Sequence, residues 1–198
     1  MSSSPSRRPF DFSANHVALD FINTVNGRPI FTRDDLGSSH DAFEWAAAAG
    51  LRNQVEHVAG LVDESSQFRE LIVLREQLYE VFGAVAHGVS PEPGPLAFVV
   101  RRAALALRTA RWERTESGLT PQWQQDSIGS IGDRLADEAV LLLRRPAISR
   151  VGYCAGCGWL FLDTSRAHAR RWCSMNVCGV RDKMRRYHQR QANVTSAR

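Results

Sequence analysis

Cys154-Ala155-Gly156-Cys157, then fifteen residues, then Cys173-Ser174-Met175-Asn176-Val177-Cys178: every cysteine of the 198-residue chain lies within this stretch of 25. Two close pairs, C-x2-C and C-x4-C, can close a tetrahedron of thiolates around Zn²⁺, each pair supplied by a tight turn. The x2 loop is Ala155-Gly156 and Gly158 follows the pair, so small residues let backbone N–H groups turn inward toward the sulfurs. About 48 residues from Val151 onward could hardly fold on their own apolar content, and a metal would supply the missing stability. Two disulfides would need an oxidising compartment. An iron–sulfur cluster suits four cysteines, but pairwise spacing in basic surroundings favours zinc. A thioredoxin-like pair would need a βαβ context that is missing. Four protein ligands close the shell, so hydrolytic zinc chemistry is not expected. His168 and His188 are read as surface residues.

Charge divides the chain at the same place. Residues 151–198 hold nine basic and two acidic residues, leaving 16 basic and 19 acidic in the first 150. A basic tail on a slightly acidic body points to an anionic partner, with nucleic acid first. A solvated basic surface, or docking of the tail onto an acidic body or partner, is the plainer alternative. With 43% hydrophobic and 23% charged residues, wholesale disorder is excluded. No apolar run is long enough to span a membrane. The Ser- and Arg-rich start has no apolar run behind it, so a secretory signal is not expected and a cytoplasmic setting is.

Upstream of residue 146 the pattern is helical. Residues 1–13 read as a disordered tail. Ala18, Phe21, Ile22 and Val25 mark a helix over 15–25, ended by Asn26-Gly27-Arg28-Pro29. Ser38 or Ser39 caps a helix running to Gly50. Leu71, Leu74, Leu78, Val81 and Val85 give a helix over 65–86 the stripe of one packed on other helices. Leu96, Val100, Ala103 and Leu107 mark the next, and Ile131, Leu135, Ala139 and Leu142 a last one, stopped by Pro146. Between residues 110 and 125, Trp112 and Trp123 flank Ser117-Gly118, which suits a β-hairpin. The expected fold is mainly α with a small β-hairpin: a helical domain over 14–148, a four-cysteine zinc module over 149–192 and a disordered end over 193–198.

The segments Cys154-Ala155-Gly156-Cys157, Trp159-Leu160-Phe161-Leu162-Asp163, Arg170-Arg171-Trp172-Cys173-Ser174-Met175 and Cys178-Gly179-Val180-Arg181-Asp182-Lys183 resemble the CGNR zinc finger of bacterial proteins. Leu19-Asp20-Phe21-Ile22-Asn23-Thr24 resembles the opening of the helical ABATE domain that precedes this finger. The resemblance implies a stress-responsive bacterial transcription regulator whose finger binds DNA and whose helical domain senses a ligand or dimerises. The chain departs from the finger's name motif at Val180, where relatives carry Asn.

On a helical wheel Val180, Met184 and Tyr187 share one narrow face, and valine there would extend a buried stripe. Lys183, Arg186 and Arg190 flank it on one side, Arg181 and Arg185 on the other. A zinc-anchored helix with basic sides suits a major groove, with guanidinium forks on phosphates or guanine edges. Arg166, Arg170 and Arg171, before Cys173, are placed to clamp the neighbouring backbone. Six phosphate contacts would give log K against log salt a slope of about −5. Trp159, Phe161 and Trp172 are read as finger core, which ranks single-stranded RNA lower.

Asp20 and Asn23, three apart on an apolar helix, either line a small-molecule pocket or cross-link neighbouring elements, and the second role is favoured. No catalytic triad, phosphate loop or H-E-x-x-H pair is present, so an enzyme is not expected. The reading is a zinc-dependent regulator of double-stranded DNA, open to a small-molecule effector and homodimerisation. A zinc-stapled protein- or RNA-interaction module and a thiol redox sensor are the alternatives.

Overall fold

The computed structural model describes residues 10–28, 33–51, 64–116, 118–123 and 127–196, with side chains described to residue 191. These form six α-helices and three antiparallel strand pairs. None of the helices is long and apolar enough to cross a membrane.

The shortest helix, α1 (Val17–Ile22), is the most deeply placed. Ala18, Leu19 and Phe21 are fully buried and Ile22 nearly so. Around it pack α2 (Ser39–Ala48), α3 (Glu64–Ala86) and α5 (Ile128–Arg144), with α4 (Pro93–Thr109) laid against α3 and α5. Ser38 caps α2 by accepting from the Asp41 N–H, and Ser127 and Ser130 form a reciprocal capping box on α5. Trp45 of α2 meets Phe21 at 5.2 Å between ring centroids and Phe12 at 6.2 Å. The hairpin is β3 (Arg111–Thr115) with β4 (Gly118–Gln122), Trp112 opposite Pro121.

Several expectations shift. α1 stops at Ile22, so Val25 belongs to strand β1 (Val25–Asn26), paired with β2 (Arg33–Asp34). On α4 the buried position is Val99, while Val100 is exposed; both fit a helical stripe, and the packing of α3 and α5 chooses one. Of Phe10 and Phe12, both expected in the disordered tail, Phe10 packs on the core and Phe12 meets Trp45. At the other end, where the sequence predicts a disordered tail over 193–198, the helix continues to Ser196.

Arg75 of α3 is 2% exposed, and its guanidinium donates to both carboxylate oxygens of Asp34, at 2.6 and 2.7 Å, and to Thr24 Oγ1. The bidentate partner offsets the desolvation of a buried cation and ties β2 to α3. Arg28 lies 4.1 Å over the Tyr79 ring and pairs with Glu76, holding the β1 turn on the same helix.

After α5, a 3-10 turn (Pro146–Arg150) leads into β5 (Val151–Tyr153), paired with β6 (Leu160–Leu162). Val151 and Leu160 point into the body's core, so the first half of the cysteine region is built onto the helices. The second half, a π-helical turn (Met175–Gly179) feeding α6 (Val180–Ser196), stands out from it.

Candidate metal centre and basic helix

The strand pair β5–β6 carries the first two cysteines on its connecting turn. Cys154 N–H donates to Trp159 O, while Cys157 and Gly158 N–H both donate to Cys154 O. Gly158 has φ +77°, and a Cβ there would sit 2.1 Å from Arg28 O. Glycine is therefore required twice over, for the left-handed backbone and for the close approach of the body. Trp159 Nε1 donates to Val25 O. Gly156 is held to its size by the second pair, since a Cβ would meet Cys178 Sγ at 3.3 Å.

Cys173 lies just before the turn that feeds α6, and Cys178 lies within it. The four Sγ atoms all lie within 4.8 Å of one another, Cys157 to Cys173 at 3.4 Å and Cys173 to Cys178 at 3.6 Å. All four are free thiols. A tetrahedron with Zn–S bonds of ~2.3 Å has sulfurs about 3.8 Å apart, inside this range. Three of the four are buried and Cys157 half-buried, around a small core of Phe161, Trp159 and Trp172. The donor set fits one structural zinc ion, with Cys154, Cys157, Cys173 and Cys178 as its ligands. Neither His168 nor His188 joins them, and both are exposed.

Backbone N–H groups of Gly156 and Cys173 reach Cys154 Sγ, and that of Trp159 reaches Cys157, as the small residues of the turn lead one to expect. Neighbouring thiols stabilise a thiolate on Cys154 and lower its pKa; Cys157 is pushed up to about 12 and Cys173 is pushed up as well. Four crowded sulfurs cannot all ionise unaided, and a divalent cation removes that conflict because a coordinating thiol is deprotonated outright.

The loop between the pairs is organised by two residues. Asp163 accepts from the Ser165 and Arg170 backbone N–H groups at 2.8 and 2.9 Å, and hydrogen bonding to Ser165 and Arg170 holds its pKa near 2. Arg170, expected on DNA, stacks 4.4 Å over Phe161 and donates to the carbonyls of Trp172, Cys173 and Ser13. With a longer contact to the Leu162 carbonyl, its guanidinium makes four bonds to backbone carbonyls, so it positions the finger. Arg171 is exposed beside Trp172.

On α6 the buried side chain is Asp182, 8% exposed, which pairs with Arg185 at 2.5 Å and Arg186 at 2.9 Å. Arg181, Lys183, Arg185, Arg186 and Arg190 are all exposed. The stripe Val180, Met184 and Tyr187, expected to be buried, is 50–55% exposed. At 100° per residue Asp182 lies on the side of the helix opposite the stripe, between the two arginines it pairs with.

Asp20 and Asn23 are both buried, 6% and 4% exposed, and bond backbone. Asp20 accepts from Ala14 N–H, whose own carbonyl accepts from Leu162 N–H. Asn23 donates to Leu160 O at 2.8 Å and accepts from Leu160 N–H at 3.0 Å. The Leu-Asp-Phe-Ile-Asn-Thr motif is thus the fastening between body and finger.

Two titrating groups on α1 pull in opposite directions. Burial, helped by Arg145, lowers the pKa of the N-cap His16 to about 4. Burial raises Asp20 to about 7. Between pH 4 and 6.5 the unfolded His16 binds a proton that the folded one refuses, so this group makes stability rise with pH. Between pH 3.8 and 7 the folded Asp20 keeps a proton that the unfolded one has lost, so this group makes stability fall with pH. Relative to the parent at each pH, Asp20→Asn should gain stability from pH 4.5 to 6.5 and His16→Gln should lose it, read as urea midpoints. Parallel slopes for the two variants would refute the assignment.

The fold and site define a helical body closed by a four-cysteine zinc finger. Residues 150–191 match the CGNR zinc finger. Residues 15–146 match the ABATE family, described as "Putative stress-induced transcription regulator", and the chain belongs to that family. No curated protein matches it.

Proposed function

We propose that the protein is a zinc-dependent transcription regulator that binds duplex DNA through α6 and the adjoining finger loop, and that it binds rather than catalyses. The observation that supports this best is the placement of α6. A helix with five basic residues against one acidic over 180–191 stands on the metal centre with its cations in solvent. The helical body would act through the fastening at Asp20 and Asn23. An effector that prefers one arrangement of α1 would shift how α6 is presented. A cleft of about 410 Å³, lined in part by Gln67, Arg111, Trp123, Ser127 and Asp133, offers such an effector an opening.

The pairings revise the salt dependence. Arg170 is committed to backbone, and Asp182 neutralises one of Arg185 and Arg186. Arg171, Arg181, Lys183, Arg190 and one remaining charge of that pair give five contacts, hence a slope of about −4.5. Fluorescence anisotropy of zinc-loaded protein on labelled duplexes, titrated across salt, measures it. Arg190→Ala should weaken all duplexes alike and reduce the slope by about one. Absence of duplex binding at low salt, or a slope near zero, would overturn the proposal.

A further inference from the structure

Large apolar side chains on the face of an exposed basic helix call for an explanation, because a helix meant only to sit in solvent or to neutralise phosphates has no use for them. Val180, Met184 and Tyr187 are half exposed at successive turns of α6, while the buried Asp182 lies on the opposite side, paired with Arg185 and Arg186. Met175 and Val177, on the turn that feeds α6, are exposed as well. Apolar surface therefore gathers at the N-terminal end of the helix, where the zinc ligands hold it.

Two occupants could cover this stripe, a second copy of the helix or DNA. Self-pairing helices place opposite charges beside their apolar seam. Here Lys183 and Arg190 line one side and Arg181 the other, while Arg185 and Arg186 turn back to Asp182, so two copies would set like charges against each other along both edges. The seam is also short. From Val180 to Tyr187 it rises about 10.5 Å, roughly one heptad, and the next stripe position is Gln191. DNA meets both conditions. Its phosphates complement both basic edges, and about 10.5 Å spans three base pairs at ~3.4 Å each. The major groove floor offers one apolar group, the thymine C5-methyl.

Building on the DNA-binding reading, we infer that Val180, Met184 and Tyr187 form the base-reading face of α6, selecting sites by thymine methyl groups in the major groove while the flanking arginines hold the phosphates. Val180 then acts as a specificity position: an amide there would read the N6/N7 edge of adenine, whereas valine reads a methyl.

The test selects preferred duplexes from a random library with the full-length, zinc-loaded chain. It then compares the selected duplex with the same duplex carrying deoxyuridine for thymine, which removes only the methyl. The parent should lose about fourfold in affinity per contacted methyl, from the value of one buried carbon group. Met184→Ala should bind the thymine duplex more weakly and lose most of the distinction. Val180→Asn should move selection toward adenine at one position. Arg190→Ala should weaken both duplexes equally. These positions are exposed, so one zinc per chain and unchanged circular dichroism are expected of every variant. Equal affinity of the parent for both duplexes, no preferred site from the library, or full discrimination by Met184→Ala would each overturn the inference while leaving DNA binding standing. Failure to bind any duplex would remove both readings together. A dimer in sedimentation that Met184→Ala dissociates would overturn it in favour of self-association.

Discussion

Cys173→Ser is expected to abolish stoichiometric zinc and to unfold residues 154–179 locally while the helical body stays folded. Of the four sulfurs, that of Cys173 lies 3.4 Å from Cys157 and 3.6 Å from Cys178, so it joins the two pairs. A serine hydroxyl does not ionise at neutral pH, and three thiolates leave the tetrahedron open. Structural zinc contributes an apparent ~10–16 kcal/mol in small finger domains, and little else here could replace it. The finger's own core is the cysteines with Phe161, Trp159 and Trp172, too few apolar groups to offset the ordering of its loops. The body is different, because its core draws on all five preceding helices and takes only Val151 and Leu160 from the buried residues of the finger. Metal analysis should therefore fall from one zinc per chain to a small fraction. Hydrogen exchange should accelerate across 154–179 and in α6, with α3 and α5 still protected. Cys157→Ser, at the half-buried ligand, should be milder. Full zinc content with unchanged protection in Cys173→Ser would refute the ligand assignment.

Local features were legible in the sequence. Cysteine spacing identified the metal centre because a tetrahedral ion imposes its geometry over a few residues. Period 3.6 located α3 and α5 because their stripes face one shared core. The hairpin followed from its turn. Long-range facts were not legible. Asn23 and Leu160 are 137 residues apart and Arg170 and Ser13 are 157 apart, and no spacing rule relates them. Asp20 and Asn23 stood out as polar residues on an apolar helix, but a pocket and a fastening leave the same trace in a sequence. The wheel of α6 showed its stripe correctly and could not say which side the finger covers. Placing the apolar side inward was the natural default, and the exposure of Val180, Met184 and Tyr187 reversed it. Val99 and Val100 differ by a single step on α4, a choice made by neighbouring helices.

Asn23→Ala is expected to cost about 2–6 kcal/mol of unfolding free energy while zinc content stays at one per chain. The side chain is 4% exposed and makes two hydrogen bonds, to Leu160 O and from Leu160 N–H. Alanine leaves both backbone groups of a fully buried residue without partners, at ~1–3 kcal/mol each. Asn23→Asp would restore the acceptor alone and add a carboxylate where Asp20 already resists ionising, so it should recover little. Asn15 provides the control. Its amide also donates to the finger, to Leu162 O at 3.0 Å, but the bond is exposed and water can replace it. Its φ of 61° makes Asn15→Gly the clean deletion, expected to cost less than about 1 kcal/mol. Urea midpoints of the three variants against the parent decide the matter, and equal costs for Asn23→Ala and Asn15→Gly would show that the buried pair carries no special weight. The contrast matters for regulation because a dry two-point bond transmits displacement where a wet one lets the partners slip. With Asn23 in place, a shift of α1 must carry β6, and with β6 the turn that holds Cys154 and Cys157. In Asn23→Ala the finger remains assembled on its zinc but loses its orientation on the body, so the proposed DNA binding should persist while any effector dependence of it is lost.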